Sequence, residues 1–247
     1  MDKQELRKRM REILAELDWR GAGKGGSEEP ETLEVAGTSG GANRWVTVRD
    51  AHKKVLASVA KNPFYSITEH TEAIGNISAW VMARVIEELT KIGFLGEPLP
   101  LSLGKRGSPR RYLKITPRGA KHIGVKFEDC RIPGKGSFEH CLYQDIVYRF
   151  LRAKGRAVLI EQTYNGKAVD VVEHLDDGKV RAYEIELRAI GHVADNIRGD
   201  LDAGCMAVIV VTRNRSEEKR ISLAVYGRLS AEMLEHVSFR TIGEFVQ

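Results

Sequence analysis

Cysteine is scarce in this chain, which has only Cys130, Cys141 and Cys205 among its 247 residues. An odd number without a repeated spacing excludes a dense disulfide framework and predicts reduced thiols. The grouping of Cys130 with His140 and Cys141 does not match the spacing of a common structural zinc site. No apolar run is long enough to cross a bilayer, and the charged segment 1–17 lacks the apolar core of a signal peptide. We therefore expect a cytoplasmic protein that does not enter a membrane.

Acidic residues are absent between Pro98 and Phe127, where eight basic residues lie. The wider segment 50–125 holds twelve basic and six acidic residues, whereas residues 137–247 hold fifteen basic and seventeen acidic ones. The net charge of +5 is therefore concentrated in the middle of the chain. A positive field confined to one segment favours an anionic partner at that segment.

Shifts in composition divide the chain into five segments. Apolar residues at helical spacing predict an N-terminal helix in residues 1–18, and the Gly-, Ser- and Glu-rich residues 19–45 predict a flexible linker. Regular patterns then predict a domain over 46–125, a linker over 126–136 and a second domain over 137–247. The expected fold class is a two-domain α+β or α/β protein.

The first predicted domain combines helices with a basic hairpin. Its predicted elements are a helix over 51–60, a short helix that begins after Ser66, a turn at 74–76, a helix over 77–92, two strands at 94–95 and 111–115, and a helix from Pro117. Ser66 and Glu69 have the spacing of a capping box. We expect the helical histidines on exposed or half-exposed faces; they are His52, His70 and His122.

This order of elements resembles prokaryotic winged helix-turn-helix domains. The motifs that carry the resemblance are a basic wing, Gly104-Lys105-Arg106-Gly107-Ser108-Pro109-Arg110-Arg111-Tyr112, and the following Ile115-Thr116-Pro117-Arg118-Gly119. The resemblance implies binding of double-stranded DNA, with the second helix of the turn in the major groove and the wing on the backbone or in the minor groove.

The candidate DNA-binding residues are of two kinds. On the recognition helix they are Asn76, Ser78, Trp80 and Arg84, and on or after the wing they are Lys105, Arg106, Arg110, Arg111, Lys114 and Arg118. Arg and Asn pair with base edges, and basic side chains neutralise phosphates. One alternative is that the basic run is only a solvated face and that the winged helix binds protein. For Trp80, the alternative to contacting DNA is that it packs in the core or stacks at an interface.

The second predicted domain has the order αβββαβ with a mixed sheet. Its predicted elements are a helix over 137–154, strands over 157–162, 168–172 and 180–187, a helix over 189–202 and a strand over 206–212. A further strand over 221–226 and a helix over 231–236 follow. The apolar strand at 206–212 is typical of a strand buried on both faces.

Carboxylates stand out in this second domain. Asp170 interrupts an apolar strand, and Glu184 and Glu186 share one face of the next strand because side chains alternate. A hairpin at 176–178 brings Asp170 close to that pair, and Glu139 is a fourth candidate. Like charges on a partly buried sheet repel unless a cation is present, and oxygen ligands without Cys or His suit Mg²⁺ or Mn²⁺.

The order Glu139, Asp170, Glu184-Ile185-Glu186 resembles the PD-(D/E)xK nuclease superfamily, which has a restriction-endonuclease-like core. The resemblance implies metal-dependent phosphodiester hydrolysis, with Asp170, Glu184 and the Ile185 carbonyl as metal ligands and Glu139 completing the shell. The chain departs from the family at Glu186, where lysine is usual. Lys167 is a candidate for the missing cation, and polar residues of the next helix are candidates to face the same cleft; they are Arg188, His192, Asn196 and Arg198.

Three functional hypotheses follow. The first is a Mg²⁺- or Mn²⁺-dependent DNA endonuclease that a winged helix targets to DNA. The second is an inactive nuclease fold that binds DNA as a regulator or accessory factor of a plasmid, phage or other mobile element. The third is a structural role in which the N-terminal helix or the C-terminal domain forms a homodimer.

Overall fold

The structure is a computed structural model in which the described residues are 32–35, 44–47, 50–103, 108–130, 136–187 and 191–246. The predicted helix in residues 1–18 lies outside them, as do Lys105 and Arg106. The chain divides into two compact units, Met1–Leu99 with Arg111–Arg131 and Pro100–Arg110 with Ile132–Gln247. No helix of the described residues is both long and apolar enough to span a membrane.

Two strands lie inside and at the end of the segment predicted as a flexible linker. They are β1 (Thr32–Val35) and β2 (Arg44–Thr47), which pair antiparallel. Residues 32–35 and 44–45 of the predicted linker thus belong to paired strands. Threonine, valine and tryptophan favour strands, and this local preference was hidden by the Gly- and Ser-rich composition of the whole segment.

The helices of the first unit form in the predicted order. They are α1 (Asp50–Lys61), α2 (Ile67–Ile74), α3 (Ala79–Lys91) and α4 (Pro117–His122), followed by a 3₁₀ turn at Phe127–Cys130. The predicted capping box is confirmed, because the Ser66 N–H donates to Glu69 Oε2 at 2.7 Å and the Glu69 N–H donates to Ser66 Oγ at 3.3 Å. Gly75 and Asn76, with φ of +61° and +51°, turn the chain between α2 and α3.

The predicted hairpin is present but is built differently. Its paired strands are β3 (Leu99–Leu101) and β4 (Arg110–Tyr112), whereas Leu95 and Ile115 make only an isolated bridge. Apolar side chains from the helices and from this bridge form one core; its largest members include Leu56, Met82, Leu89, Phe94, Leu95 and Leu113.

Two histidines of the first unit are buried, contrary to the expectation of exposed faces. His52 is 2% exposed and His70 is completely buried. The Nδ1 atom of His70 lies 2.8 Å from Ser58 Oγ, and its Nε2 atom has no hydrogen-bond partner among the described residues. Burial lowers the pKa of His70 from 6.5 to about 4, with Glu69 opposing the shift. The neutral imidazole is therefore part of this core.

We expect the first unit to lose stability between pH 6.5 and pH 4. The pKa of His70 is lower in the folded state, so its contribution is complete above pH 6.5 and is lost as the pH falls towards 4. The loss should be on the order of 3 kcal/mol, because one pKa unit corresponds to about 1.4 kcal/mol. Tryptophan fluorescence in urea reports it, because all three tryptophans precede residue 99. His70→Gln should weaken this pH dependence, and an unchanged dependence would contradict the assignment.

The second unit is built on a five-stranded mixed sheet. Its strands are β5 (Ala157–Tyr164), β6 (Lys167–His174), β7 (Val180–Ile185), β8 (Ala207–Thr212) and β9 (Val237–Thr241). They lie side by side in chain order; β6 is antiparallel to its neighbours β5 and β7, and β7, β8 and β9 are parallel. The protein is thus α+β with a mixed sheet.

The helices of the second unit are α5 (Phe138–Ala153), α6 (Val193–Asp202), α7 (Arg215–Tyr226) and α8 (Ala231–Leu234). The prediction of a strand over 221–226 is wrong, because these residues end α7. Ile221 and Val225 are buried four residues apart, as on one face of a helix, and Asn214 caps its start by accepting the Glu217 N–H at 3.0 Å. Strand β9 was not predicted.

Candidate functional site

The half-buried carboxylate of Asp170 in β6 is held by three hydrogen bonds. Its Oδ2 atom accepts the backbone N–H of Ile185 at 2.8 Å. Its Oδ1 atom accepts the Gln144 side-chain amide at 3.0 Å and lies 3.1 Å from His140 Nε2. His140 and Gln144 are four residues apart and so share one face of α5. The sequence predicts neither of them as a partner of Asp170, and the His140 side chain is only 21% exposed.

The strand that carries Asp170 is irregular at that residue. Val169 and Val172 both lie in the core shared with α6 and α7, although residues three apart in a regular strand point to opposite faces. The pairing of β6 with β7 ends at Val171 and Tyr183. Asp170 therefore lies where the two strands separate, which lets its carboxylate take the N–H of the neighbouring strand.

A strained residue lies opposite Asp170. Glu161 in β5 has a φ of +49°, a left-handed conformation that is rare for glutamate in a strand. The residues on either side of it pair with β6, at Ile160–Val171 and Gln162–Val169, but Glu161 and Asp170 do not. Such a conformation costs about 1–3 kcal/mol and persists where its surroundings impose it, often at functional sites.

Glu184 and Asp200 form a buried pair of carboxyl groups. Glu184 lies near the end of β7 and is only 6% exposed. Asp200 on α6 is completely buried. Among the described residues, no donor reaches Glu184 Oε1 or either oxygen of Asp200. Burial, and then the charge of Asp200, raise the pKa of Glu184 well above its ordinary value. Burial raises the pKa of Asp200 to about 6, against the opposing charge of Lys167.

Glu186 is linked to Lys167 through Asn196. The Asn196 amide donates to Glu186 Oε1 at 3.4 Å, and Lys167 Nζ donates to Asn196 Oδ1 at 3.2 Å. Burial raises the pKa of Glu186 to about 7, although Asn196 and the charge of Lys167 oppose the shift. The charge of Asp170 acts on Glu184, Glu186 and Asp200, so three of the four predicted acids lie near one another.

The acidic environment changes the pKa of His140. Burial alone lowers the pKa of its imidazole, but the hydrogen bond with Asp170 and the charges of Asp170, Glu186 and Glu161 raise the pKa above its ordinary value. The acids around His140 therefore favour its charged form, in which the imidazole would donate to Asp170 and offset some of the repulsion among the acids.

Glu139 is engaged elsewhere. Its two oxygens accept hydrogen bonds from Arg213 Nε and Nη2, both at 2.8 Å, and the Tyr143 hydroxyl also donates to it at 3.2 Å. Neighbouring residues of a helix point about 100° apart, so when His140 faces Asp170 the side chain of Glu139 does not. The prediction that Glu139 completes a metal shell finds no support in these contacts.

Of the four polar residues predicted on the following helix, Asn196 alone faces the acids among those described. His192 is exposed, Arg198 pairs with Asp195 at 3.0 Å, and Arg188 lies outside the described residues. Asp200 was not singled out in the sequence. A signal was present, because Asp200 follows Val193 and Ile197 by seven and three residues and so continues the apolar stripe of α6.

The acids do not form a ready-made metal cage. Over the ranges that the structure describes, no group of three His, Cys, Asp or Glu side chains has the arrangement of a metal site. Their chemistry nevertheless suits a hard cation, because the atoms that lack donors are the carboxylate oxygens of Glu184 and Asp200. Asp170 accepts three hydrogen bonds, fewer than the roughly four that a carboxylate can take.

The candidate DNA-reading residues lie at the start of α3. Ser78 caps this helix by accepting the Val81 N–H at 3.2 Å, so its hydroxyl is partly used. Asn76 is exposed, and Trp80 is 69% exposed, which excludes its packing in the core of the first unit. The guanidinium of Arg84 lies 5.8 Å from the Trp80 ring and also donates to Glu88 at 3.0 Å.

Basic side chains on and after the predicted wing are exposed. Within the first unit they are Arg111, Lys114, Arg118, Lys121 and Lys126. Arg110 is also exposed and belongs to the second unit. The guanidinium of Arg118 lies over the Phe94 ring at 5.4 Å. These charges are therefore accessible to an anionic partner.

No match to a known protein is found for this chain. No protein-family model matches it, and neither a curated protein nor a solved structure does. Similarity therefore shows no family, and the roles of the residues follow from their chemistry and contacts.

Proposed function

We propose that this protein binds double-stranded DNA and cleaves it as a Mg²⁺- or Mn²⁺-dependent endonuclease. The observation that carries the proposal is the gathering of Asp170, Glu184 and Glu186 where β6 and β7 separate. Burying several acids together is unfavourable unless a cation is bound, so a fold that keeps them together favours a metal-dependent function. The order α5-β5-β6-β7-α6-β8 fits the restriction-endonuclease-like core that the sequence resembles.

The chain's own residues fit such a cation. Asp170, Glu184 and the Ile185 carbonyl would hold it, and it would activate a water molecule and stabilise charge on the phosphate. The Ile185 N–H, Gln144 and His140 fix the orientation of the Asp170 carboxylate. This leaves capacity on Asp170 for a further ligand, and the Oε1 atom of Glu184 has no competing donor among the described residues.

In this proposal Lys167 supplies the positive charge that the nuclease superfamily usually has at the position of Glu186. Its ammonium group binds Asn196 and carries positive charge to Glu186 and Asp200. A cation at this position would offset charge on a phosphate brought to the acids. The departure from the family pattern at Glu186 is therefore compensated within the same cluster.

The first unit supplies DNA binding in this proposal. Its order of helices and strands, with a turn at Gly75 and Asn76 between α2 and α3, fits a winged helix-turn-helix. Trp80 and Arg84 are exposed near the start of α3, the end of a recognition helix that meets base edges. The exposed basic residues after the wing provide phosphate contacts.

A panel of DNA substrates tests the proposed activity. Supercoiled, linear, single-stranded and branched DNA are incubated with the protein in Mg²⁺, in Mn²⁺ and in chelator, next to Asp170→Ala. We expect cleavage of at least one duplex form that needs the metal and is lost in the variant. Tight binding without cleavage of any substrate would contradict the endonuclease.

The second candidate function is an inactive nuclease fold that acts as a DNA-binding regulator or accessory factor of a plasmid, phage or mobile element. One observation favours it. The Oδ1 atom of Asp170 is already engaged by Gln144 and His140, and no three-residue metal group is formed among the described residues. In that case the hydrogen bonds have replaced the cation, and the same panel shows binding alone.

Lys167→Gln should slow cleavage by about 10- to 100-fold, the effect typical of losing a group next to a metal site. The substitution removes the positive charge near Glu186 and Asp200 but keeps a polar side chain of similar size. Cleavage rates at saturating protein measure the effect. The matched control is Lys179→Gln in the hairpin, which removes an exposed lysine; equal rates for both variants would rule out a role for Lys167.

A further inference from the structure

Asp200 has no role in the metal site described so far. It lies on α6, on the stripe that packs against the sheet, and it is completely buried beside Glu184. A buried carboxylate is expensive unless it is paired or hydrogen-bonded. With both carboxyl groups ionised, neither of its oxygens receives a donor from the described residues, and a hydrogen bond with Glu184 forms only when one of the two carries a proton.

The surroundings of Asp200 supply little compensation. Lys167 is the described cation whose charge acts on it, but the ammonium group of Lys167 donates to Asn196 and makes no hydrogen bond to Asp200. Glu184, which faces it, also has an oxygen without a donor. Three carboxylate oxygens from two elements are therefore buried without a donor among the described residues, and carboxylate oxygens are the ligands that hard divalent cations prefer.

We propose that Asp200 and Glu184 bind one divalent cation jointly, so that Asp200 is a further ligand of the metal centre. The inference deepens the proposed nuclease site and rests on it for the choice of Mg²⁺ or Mn²⁺. Glu184 belongs both to the predicted metal ligands, which include Asp170, and to the buried pair with Asp200. It therefore connects Asp200 to the proposed metal centre. The alternative for the same geometry is a proton shared by the two carboxyl groups, with no cation.

The test measures cation binding without DNA. Thermal unfolding of the full chain is followed at fixed pH and ionic strength, in chelator and in millimolar Mn²⁺, Mg²⁺ or Ca²⁺, with Na⁺ as the ionic-strength control. We expect a divalent cation to raise the Tm of the wild type by roughly 4 °C. Asp200→Asn should lose most of this rise, and Asp202→Asn, which removes an exposed acid from the same helix, should keep it.

The outcomes separate this inference from the proposed function. An equal rise in wild type and Asp200→Asn would overturn the role of Asp200 and leave a site at Asp170 and Glu184. No rise in the wild type would overturn the inference itself. A rise that depends on Asp200 in a protein that cleaves no DNA would support the inference and reject the endonuclease. Should Asp200→Asn fail to fold, as judged by circular dichroism, Glu184→Gln replaces it, and retention of the full rise would overturn the pair.

Discussion

Asp170→Asn should reduce metal-dependent DNA cleavage by at least about 100-fold, because loss of even an outer partner of a metal ligand costs up to about that much. The amide keeps an oxygen that can accept the Ile185 N–H but removes the negative charge at the place where β6 and β7 separate. Affinity for duplex DNA should stay within about twofold of the wild type, since Asp170 lies in the second unit. Gel assays of cleavage and a mobility shift measure the two effects.

The matched control for Asp170→Asn is Glu232→Gln, which removes one negative charge from an exposed residue of α8. It should cleave DNA at the wild-type rate. Full cleavage by Asp170→Asn would show that this carboxylate does not take part in the reaction. A variant that binds no DNA would show instead that the second unit contributes to affinity.

Reversing Arg110 and Arg111 to glutamate should weaken binding of duplex DNA by at least about 100-fold at roughly 100 mM salt, because two cations that neutralise phosphates are replaced by anions that repel them. Both residues are exposed in β4, at the end of the predicted wing. The slope of log affinity against log salt should become shallower by about one for each phosphate that is no longer neutralised. A mobility shift over several salt concentrations measures both quantities.

The control for this pair is the double reversal of Lys219 and Arg220 to glutamate, which changes the net charge equally on exposed residues of α7. Equal reductions of affinity in the two double variants would indicate a general effect of charge. Unchanged binding after reversal of Arg110 and Arg111 would remove the wing from the DNA interface and favour the alternative that the basic run is a solvated face.

Local signals in the sequence predicted much of the fold. The capping box of Ser66 and Glu69 and the turn at Gly75 depend on residues within a few positions, so their geometry is encoded locally. Short apolar runs predicted the strands β6 and β7. The hairpin at 176–178 predicted that β7 lies beside the strand that carries Asp170. The gathering of Asp170, Glu184 and Glu186 could be predicted because strand alternation and one hairpin suffice to place them.

Contacts between residues far apart in the sequence could not be predicted from such local signals. His140 and Gln144 meet Asp170 only because α5 packs at a particular rotation on the sheet, and the same rotation takes Glu139 to Arg213. The burial of His70 likewise depends on how α1 and α2 pack, because its Nδ1 atom lies beside Ser58 of the preceding helix. Local pattern does not determine helix rotation or tertiary pairing, since these arise from many weak contacts.

The most direct test of metal-dependent cleavage uses wild-type protein already bound to the duplex DNA that it prefers. The complex is formed in chelator with protein in excess, Mg²⁺ or Mn²⁺ is added, and strand cleavage is followed in a single turnover. The proposed function predicts cleavage that begins on addition of the metal and stops when chelator is restored. DNA that stays bound and intact in both metals would contradict the endonuclease and leave a DNA-binding protein with an inactive carboxylate cluster.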